Sequence, residues 1–308
     1  MMEHVSCNLC GYDDAALLYP STIEHDQLPN AVEAFRCTSS LYGKHFNIVR
    51  CRNCGLGYTN PRLSSEEIMR AYEGVQDPLY VEEYDGRSLT FHRHLRRVEE
   101  LKAPPGRLLD IGAYSGVFVE AAQARGWDAW GLEPCRWAVE VARGRGLNML
   151  EGSLDTISIE EQSFDVVTMW DVIEHVTDPL DQLRKAYRLL RPGGLAVVHT
   201  MDLDSTCAKL MGSRWPWLME MHIYYFTPRT LGRMAEVAGF KVVKSRAEGR
   251  FLRLGYIATR IGGLNRFAGK LAAGGLRMLG LRETAIPLNF GDLFTLYAIR
   301  EHDSAYSI

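Results

Sequence analysis

The stretch Leu109-Asp110-Ile111-Gly112-Ala113-Tyr114-Ser115-Gly116 decides the fold. Residues 107–111 form a short apolar run, which predicts a strand, and residues 117–125 read as a helix. Glycines at 112 and 116 between them permit a tight turn and let a ligand approach the backbone closely. Outward from this unit the pattern repeats. Strands are expected at 127–132, 147–150, 164–170 and 194–199, with helices at 134–145 and 180–190. Strand candidates at 239–244 and 293–299 close the series. This rhythm predicts an α/β fold, a mostly parallel sheet with helices on both faces. Ligands bind such sheets outside the carboxyl ends of the strands.

The same region holds Gly131-Leu132-Glu133-Pro134, Ser163-Phe164-Asp165-Val166-Val167, Asp171-Val172-Ile173-Glu174-His175-Val176 and Leu190-Arg191-Pro192-Gly193-Gly194. In this order, and with the glycine turn, they resemble the motifs of class I S-adenosylmethionine (SAM)-dependent methyltransferases over most of residues 106–246. The resemblance implies a Rossmann-like methyltransferase sheet and SAM as cofactor. A nicotinamide enzyme would share the acid at Glu133 but should show Gly-x-Gly-x-x-Gly after the first strand. This chain has Asp-x-Gly-x-x-x-Gly, with Tyr114 where methyltransferases commonly have another glycine. By the resemblance Asp110 and Gly112 line the methionine end, Tyr114 stands beside the cofactor and Gly116 supports the turn. Glu133 holds the ribose, Ser153 and Leu154 sit at the adenine, and Trp170 and Asp171 face the methyl group and the substrate. Trp127 and Trp130 read as core. Tyr80 or Tyr84 would serve as a lid or pack the linker onto the core.

Methyl transfer from a sulfonium needs alignment, and a base when the acceptor is a hydroxyl. His175 and His222 are the candidates for that base, with Asp171 beside them. If Asp171, Glu174 and His175 open a helix they share one turn, and with His222 they form a candidate divalent-cation site. This set resembles the Glu-x-x-Glu-His site of ubiquinone-pathway O-methyltransferases, with Asp171 in place of the first Glu. A purely structural role for the Glu-His pair is the competing reading.

Seven cysteines stand in the chain. Cys7-Asn8-Leu9-Cys10-Gly11 and Cys51-Arg52-Asn53-Cys54-Gly55 are Cys-x-x-Cys-Gly knuckles. Two of them supply the four thiolates of a closed tetrahedral site, which suits structural zinc. A small zinc ribbon is therefore expected at 1–62, a helical linker or lid at 63–105, and the methyltransferase domain at 106–308 with a helical insertion at about 250–290. Cys37, Cys135 and Cys207 read as buried small hydrophobes. Ser64 is expected to cap a helix that starts at 65.

The start of the chain has no basic segment followed by an apolar one, and no window reaches the length of a membrane span. The expectation is a cytoplasmic protein with free thiols. Hydrophobic residues make up 46% and charged residues 24%, with a net charge of −3. That balance excludes wholesale disorder and argues against nucleic acid, as does the lack of basic excess in the ribbon. The average hides one asymmetry. Residues 250–282 hold seven bases and no acid, with Ile257, Ile261, Leu264, Phe267 and Leu271 at helical spacing and six glycines between 255 and 275 against one long helix. Such a segment suits either a helical hairpin packed on the sheet or a peripheral contact with an anionic membrane or lipid-linked substrate. The functional expectation is O-methylation of a small-molecule, sugar or lipid-linked hydroxyl. The alternatives are a sugar C-methyltransferase and, from another class, a non-catalytic SAM-binding regulatory or scaffold protein.

Overall fold

The computed structural model describes residues 2–23, 34–36, 38–39, 42–264 and 266–301. Cys37 lies outside the described residues. The chain begins with β1 (Met2–Glu3), β2 (Ala15–Tyr19), β3 (Ile48–Cys51), β4 (Gly57–Thr59) and β5 (Arg62–Leu63). Three helices follow, α1 (Ser65–Glu73), α2 (Pro78–Glu82) and α3 (Tyr84–Glu99). Ser64 caps α1 in a reciprocal capping box with Glu67, which satisfies two amides of the first turn.

The alternating unit then runs β6 (Arg107–Ile111), α4 (Val117–Gln123), β7 (Asp128–Glu133), α5 (Arg136–Arg143), β8 (Met149–Glu151), β9 (Phe164–Trp170), α6 (Pro179–Leu189) and β10 (Leu190–Met201). After it come α7 (Thr206–Met211), β11 (Tyr224–Tyr225), α8 (Pro228–Val237) and β12 (Lys241–Ala247). The insertion comprises β13 (Arg250–Arg253), α9 (Leu254–Leu264), α10 (Arg266–Met278) and β14 (Ala285–Leu288), and β15 (Leu293–Ile299) ends the sheet.

Seven strands form the central sheet in the order β12-β15-β10-β9-β6-β7-β8. Only β15 runs antiparallel to its neighbours; the other contacts are parallel. Alternate residues of one strand feed two cores. Leu108 packs with Val98, Phe118 and Val139 on one face, and Leu109 with Leu183, Ala186 and Leu231 on the other. Burial on both faces explains why these strands read as continuous apolar runs.

A second sheet, β11-β4-β3-β2, carries the knuckles and takes its outer strand from beyond β10. Tyr224 pairs with Tyr58 and Tyr225 with Gly57. Gly57 has no room for a side chain, since a Cβ there would lie 2.7 Å from Leu203 Cδ2.

The insertion is a helical hairpin on a two-stranded β13–β14 base. The expected glycine breaks fall where α9 and α10 cross. A Cβ on Gly269 would lie 2.3 Å from the Gly262 Cα, so the pair must stay small. Phe267 and Leu271 share the helical spacing of a core stripe, yet both are exposed on α10. Cys135 is buried, whereas Cys207 is only half-buried on α7, so the reading of Cys207 as a core residue is corrected. No helix among the described residues is long and apolar enough to cross a membrane.

Candidate active site

The carboxyl ends of β6, β7, β9 and β10 open into one cavity of about 1000 Å³. Gly112 forms its floor at φ +69, and a Cβ there would sit 2.5 Å from Val172 Cγ2. At the end of β7 the Glu133 carboxylate accepts the Tyr114 and Cys135 amides, each at 2.9 Å. Burial pushes this acid up to about 7. Each of its oxygens keeps a lone pair, so it can still accept hydroxyls from a ligand in the cavity. Tyr114 takes φ +46 and packs against Tyr80, ring centroids 4.5 Å apart. Ser153, Leu154 and Trp170 also line the cavity. Tyr80 also lines the cavity, whereas the Tyr84 hydroxyl donates to Glu120 at 2.6 Å.

Two further residues of the glycine-turn motif are buried behind it. Asp110, one residue from the end of β6, accepts the Thr168 hydroxyl at 2.6 Å, and burial pushes it up to about 8. Gly116 sits at φ +75 against Leu147 and Ala142, behind the turn.

Across the cavity, Glu174, His175 and His222 offer one ligand atom each, all within 4.8 Å of one another. Asp171 to His175 form turns, not the expected helix, and Asp171 takes φ +56. The His175 Nδ1–H donates to the Met221 carbonyl (2.9 Å) and the His222 Nδ1–H to the Trp217 carbonyl (2.7 Å). Both rings are thereby held with the Nε2 lone pair free, the tautomer a metal ligand needs. Burial lowers His175 to about 4 and His222 to about 3, so both rings are neutral. The four-residue cation set is corrected to three. Asp171 is not among the converging atoms, because its Oδ1 lies 2.7 Å from Arg250 Nη2.

A family model described as a methyltransferase domain matches residues 83–245, more than half of the chain. The chain belongs to the class I SAM-dependent methyltransferases. It is 32% identical over 150 residues to the ubiquinone biosynthesis O-methyltransferase of Aeromonas salmonicida, covering 44% of this chain and 63% of that one. The protein of the same name from Cereibacter sphaeroides is 31% identical over 150 residues, covering 44% and 61%. The chain thus spans less than two thirds of the length of these relatives. In fold it is similar to a chain from the complex of the Haloferax volcanii Trm112 methyltransferase activator with a methyltransferase. That match has a TM-score of 0.50 at 18% identity and covers 74% of this chain and all of the other.

The methyltransferase's cavity fits SAM. A glycine floor that admits no side chain and an acid with spare lone pairs are features a nucleoside with a sulfonium tail requires. Five residues that sequence reasoning missed form a polar group at the cavity, of which His94, His199 and Arg250 line it. His199 Nδ1–H donates to Thr295 Oγ1 (2.8 Å), whose hydroxyl donates to Glu248 (3.1 Å). His94 shares Glu248 at 2.7 Å and stacks on Trp170, centroids 4.9 Å apart. Arg250 closes the group on Asp171. These residues come from α3, β10, the β12–β13 turn, β13 and β15, and no local spacing links them.

The methyltransferase's four knuckle sulfurs also converge within 4.8 Å. Cys7 and Cys54 Sγ are 3.4 Å apart, Cys10 and Cys51 Sγ 3.6 Å. A tetrahedral zinc with bonds of about 2.3 Å needs sulfur separations slightly above these, so the donor set fits a structural zinc.

Proposed function

We propose that this methyltransferase transfers the methyl group of SAM to a hydroxyl of a small molecule, with a divalent cation held by Glu174, His175 and His222 and a structural zinc at Cys7, Cys10, Cys51 and Cys54. The observation that carries the reading is the pair of pinned imidazoles, both Nε2 lone pairs turned toward Glu174 in the cavity that holds Gly112 and Glu133. SAM supplies a methyl group already activated on a sulfonium. Glu133 holds the ribose, Gly112 admits the chain close to the backbone, and Tyr114 with Tyr80 covers it. The trio would hold a cation that lowers the pKa of the acceptor hydroxyl.

A free histidine base is the second reading, supported by the same fixed tautomers. It is the weaker one, since imidazoles held near 3 and 4 are poorly matched to a hydroxyl proton. The relatives favour O-methylation over sugar C-methylation and over a non-catalytic scaffold. The proposal extends to a lipid-bearing acceptor met at an anionic surface. Lys270, Arg277 and Arg282 are exposed beside exposed Leu271, Met278 and Leu279, a pairing that suits such a contact.

The test is calorimetry with S-adenosylhomocysteine, followed by mass detection of methyl transfer from SAM to a panel of catechols, phenols and sugars with and without Mn²⁺. Binding of the nucleoside and Mn²⁺-dependent transfer to a hydroxyl are expected. Absence of nucleoside binding overturns the reading.

A further inference from the structure

Each Cys-x-x-Cys knuckle holds one of the two chain segments that carry the cavity's histidines. In the first knuckle, Asn8 donates from Nδ2 to Asp178 Oδ1 at 2.9 Å, and its Oδ1 accepts the Leu180 amide at 3.0 Å. Asp178 is the N-cap of α6, three residues beyond His175. The second knuckle runs on through Leu56 into β4. There the Thr59 amide donates to the Ile223 carbonyl at 2.9 Å and its hydroxyl to the His222 carbonyl at 3.3 Å. Arg62 spans both segments, donating to the Thr177 carbonyl and to the Tyr224 hydroxyl, each at 3.1 Å. On the cavity side the segments are laced directly. The Glu174 carbonyl accepts the Ile223 and Tyr224 amides, both at 3.0 Å. The knuckles therefore grip from outside two segments that touch within, and the knuckles themselves converge at the cysteine cluster.

We infer that the ion at the four cysteines clamps the His175 segment against the His222 segment, and that Asn8 and Thr59 are the positioning residues through which the ribbon sets the affinity of Glu174, His175 and His222 for a cation. The inference rests on the cation reading of that trio. The physical basis is preorganisation. Cross-linking the knuckles fixes the separation of the two imidazoles before a cation arrives, so less ordering is left for the cation to impose. The ribbon is then a wall of the active site, and its zinc acts on catalysis without touching substrate.

The experiment measures Mn²⁺ binding by electron paramagnetic resonance, Mn²⁺ being a poor match for thiolates. Zinc-loaded protein, chelator-treated protein and the zinc-loaded variants Asn8→Ala and Thr59→Val are compared. Arg52→Ala, an exposed ribbon residue paired with Asp14, is the control. Hydrogen exchange of residues 172–178 and 219–226 is followed in parallel. Asn8→Ala and Thr59→Val are expected to keep their zinc, to bind Mn²⁺ about tenfold or more weakly, the scale of an outer-shell loss, and to exchange faster in both segments. Arg52→Ala is expected to match the parent. Parent-like Mn²⁺ affinity and exchange in both variants overturns the clamp. If no form binds Mn²⁺, the cation reading fails on its own, and exchange decides the clamp: unchanged protection in zinc-free protein overturns it.

Discussion

Asp171 Oδ1 and Arg250 Nη2 lie 2.7 Å apart, joining the loop after β9 to the first strand of the basic insertion. Burial alone would raise the Asp171 carboxyl, but Arg250 together with His199, His175 and Arg87 outweighs it and holds the acid below its usual range. The contact engages the Asp171 carboxylate, which is not among the atoms that converge with His175 and His222. It also makes the insertion part of the cavity wall, since Arg250 further lies over the Trp217 ring, 5.1 Å from its centroid.

Arg250→Met should therefore raise the acceptor KM while leaving S-adenosylhomocysteine affinity near the parent value. The pair is partly exposed, so the stability loss should stay near ~1 kcal/mol. Steady-state kinetics and urea unfolding check both parts.

His222→Ala and His175→Ala should each lower kcat by about two to four orders of magnitude and abolish Mn²⁺ binding, with nucleoside affinity kept. Unchanged turnover in either variant removes that residue from the mechanism.

Glu133→Gln keeps the shape and one carbonyl acceptor but loses the charge. Hydrogen bonds to a charged group are worth about 1.5–3 kcal/mol, so S-adenosylhomocysteine should bind roughly 10–100-fold more weakly. Calorimetry reads this directly, and parent-like affinity would take Glu133 away from the ribose.

The buried acids set a pH dependence. Asp110 is pushed up to about 8 and Glu133 to about 7 by burial, while burial lowers His199 to about 3. A carboxyl raised in the folded chain keeps a proton that the unfolded chain has released. Its favourable contribution is full below about pH 4 and is lost as pH rises to the folded value. His199 acts in the other direction, since below about pH 6.5 the unfolded chain gains a proton that the folded chain refuses. Of these three groups, only the two carboxyls act between about pH 6.5 and 8. The urea midpoint of ligand-free protein should fall over that interval, and fall less in Asp110→Asn. A flat midpoint in the parent would contradict the assignment.

Phosphatidylglycerol vesicles test the hairpin. The protein should float with them at low salt and detach at high salt, and Leu271→Glu with Met278→Glu should abolish flotation. No binding at low salt discards the membrane contact.

The sheet was legible because its strands are buried on both faces. Phe164–Trp170 and Leu293–Ile299 read from sequence with the bounds the structure shows. The knuckles were legible because their chemistry is local, two residues between each pair of thiols. Asp171 was misjudged for the opposite reason. Spacing suggested a shared helical turn, but a left-handed residue and a partner 79 positions away decided its direction. The polar group of His94, His199, Glu248 and Thr295 left no periodic trace, since it assembles from four elements around one carboxylate. The β13–β14 base of the hairpin escaped for a similar reason: each strand has only four residues and pairs across the whole insertion.

The pairing of β4 with β11 carries a consequence for how the chain is made. The cysteines of the ribbon are translated within the first 54 residues, but the outer strand of their sheet arrives only with Tyr224 and Tyr225. A nascent ribbon on the ribosome, or one cut free by a protease or a cloning boundary, presents β4 with an open edge. This metal module is not portable: grafted onto another enzyme, it would bring its cysteines and leave its last strand behind.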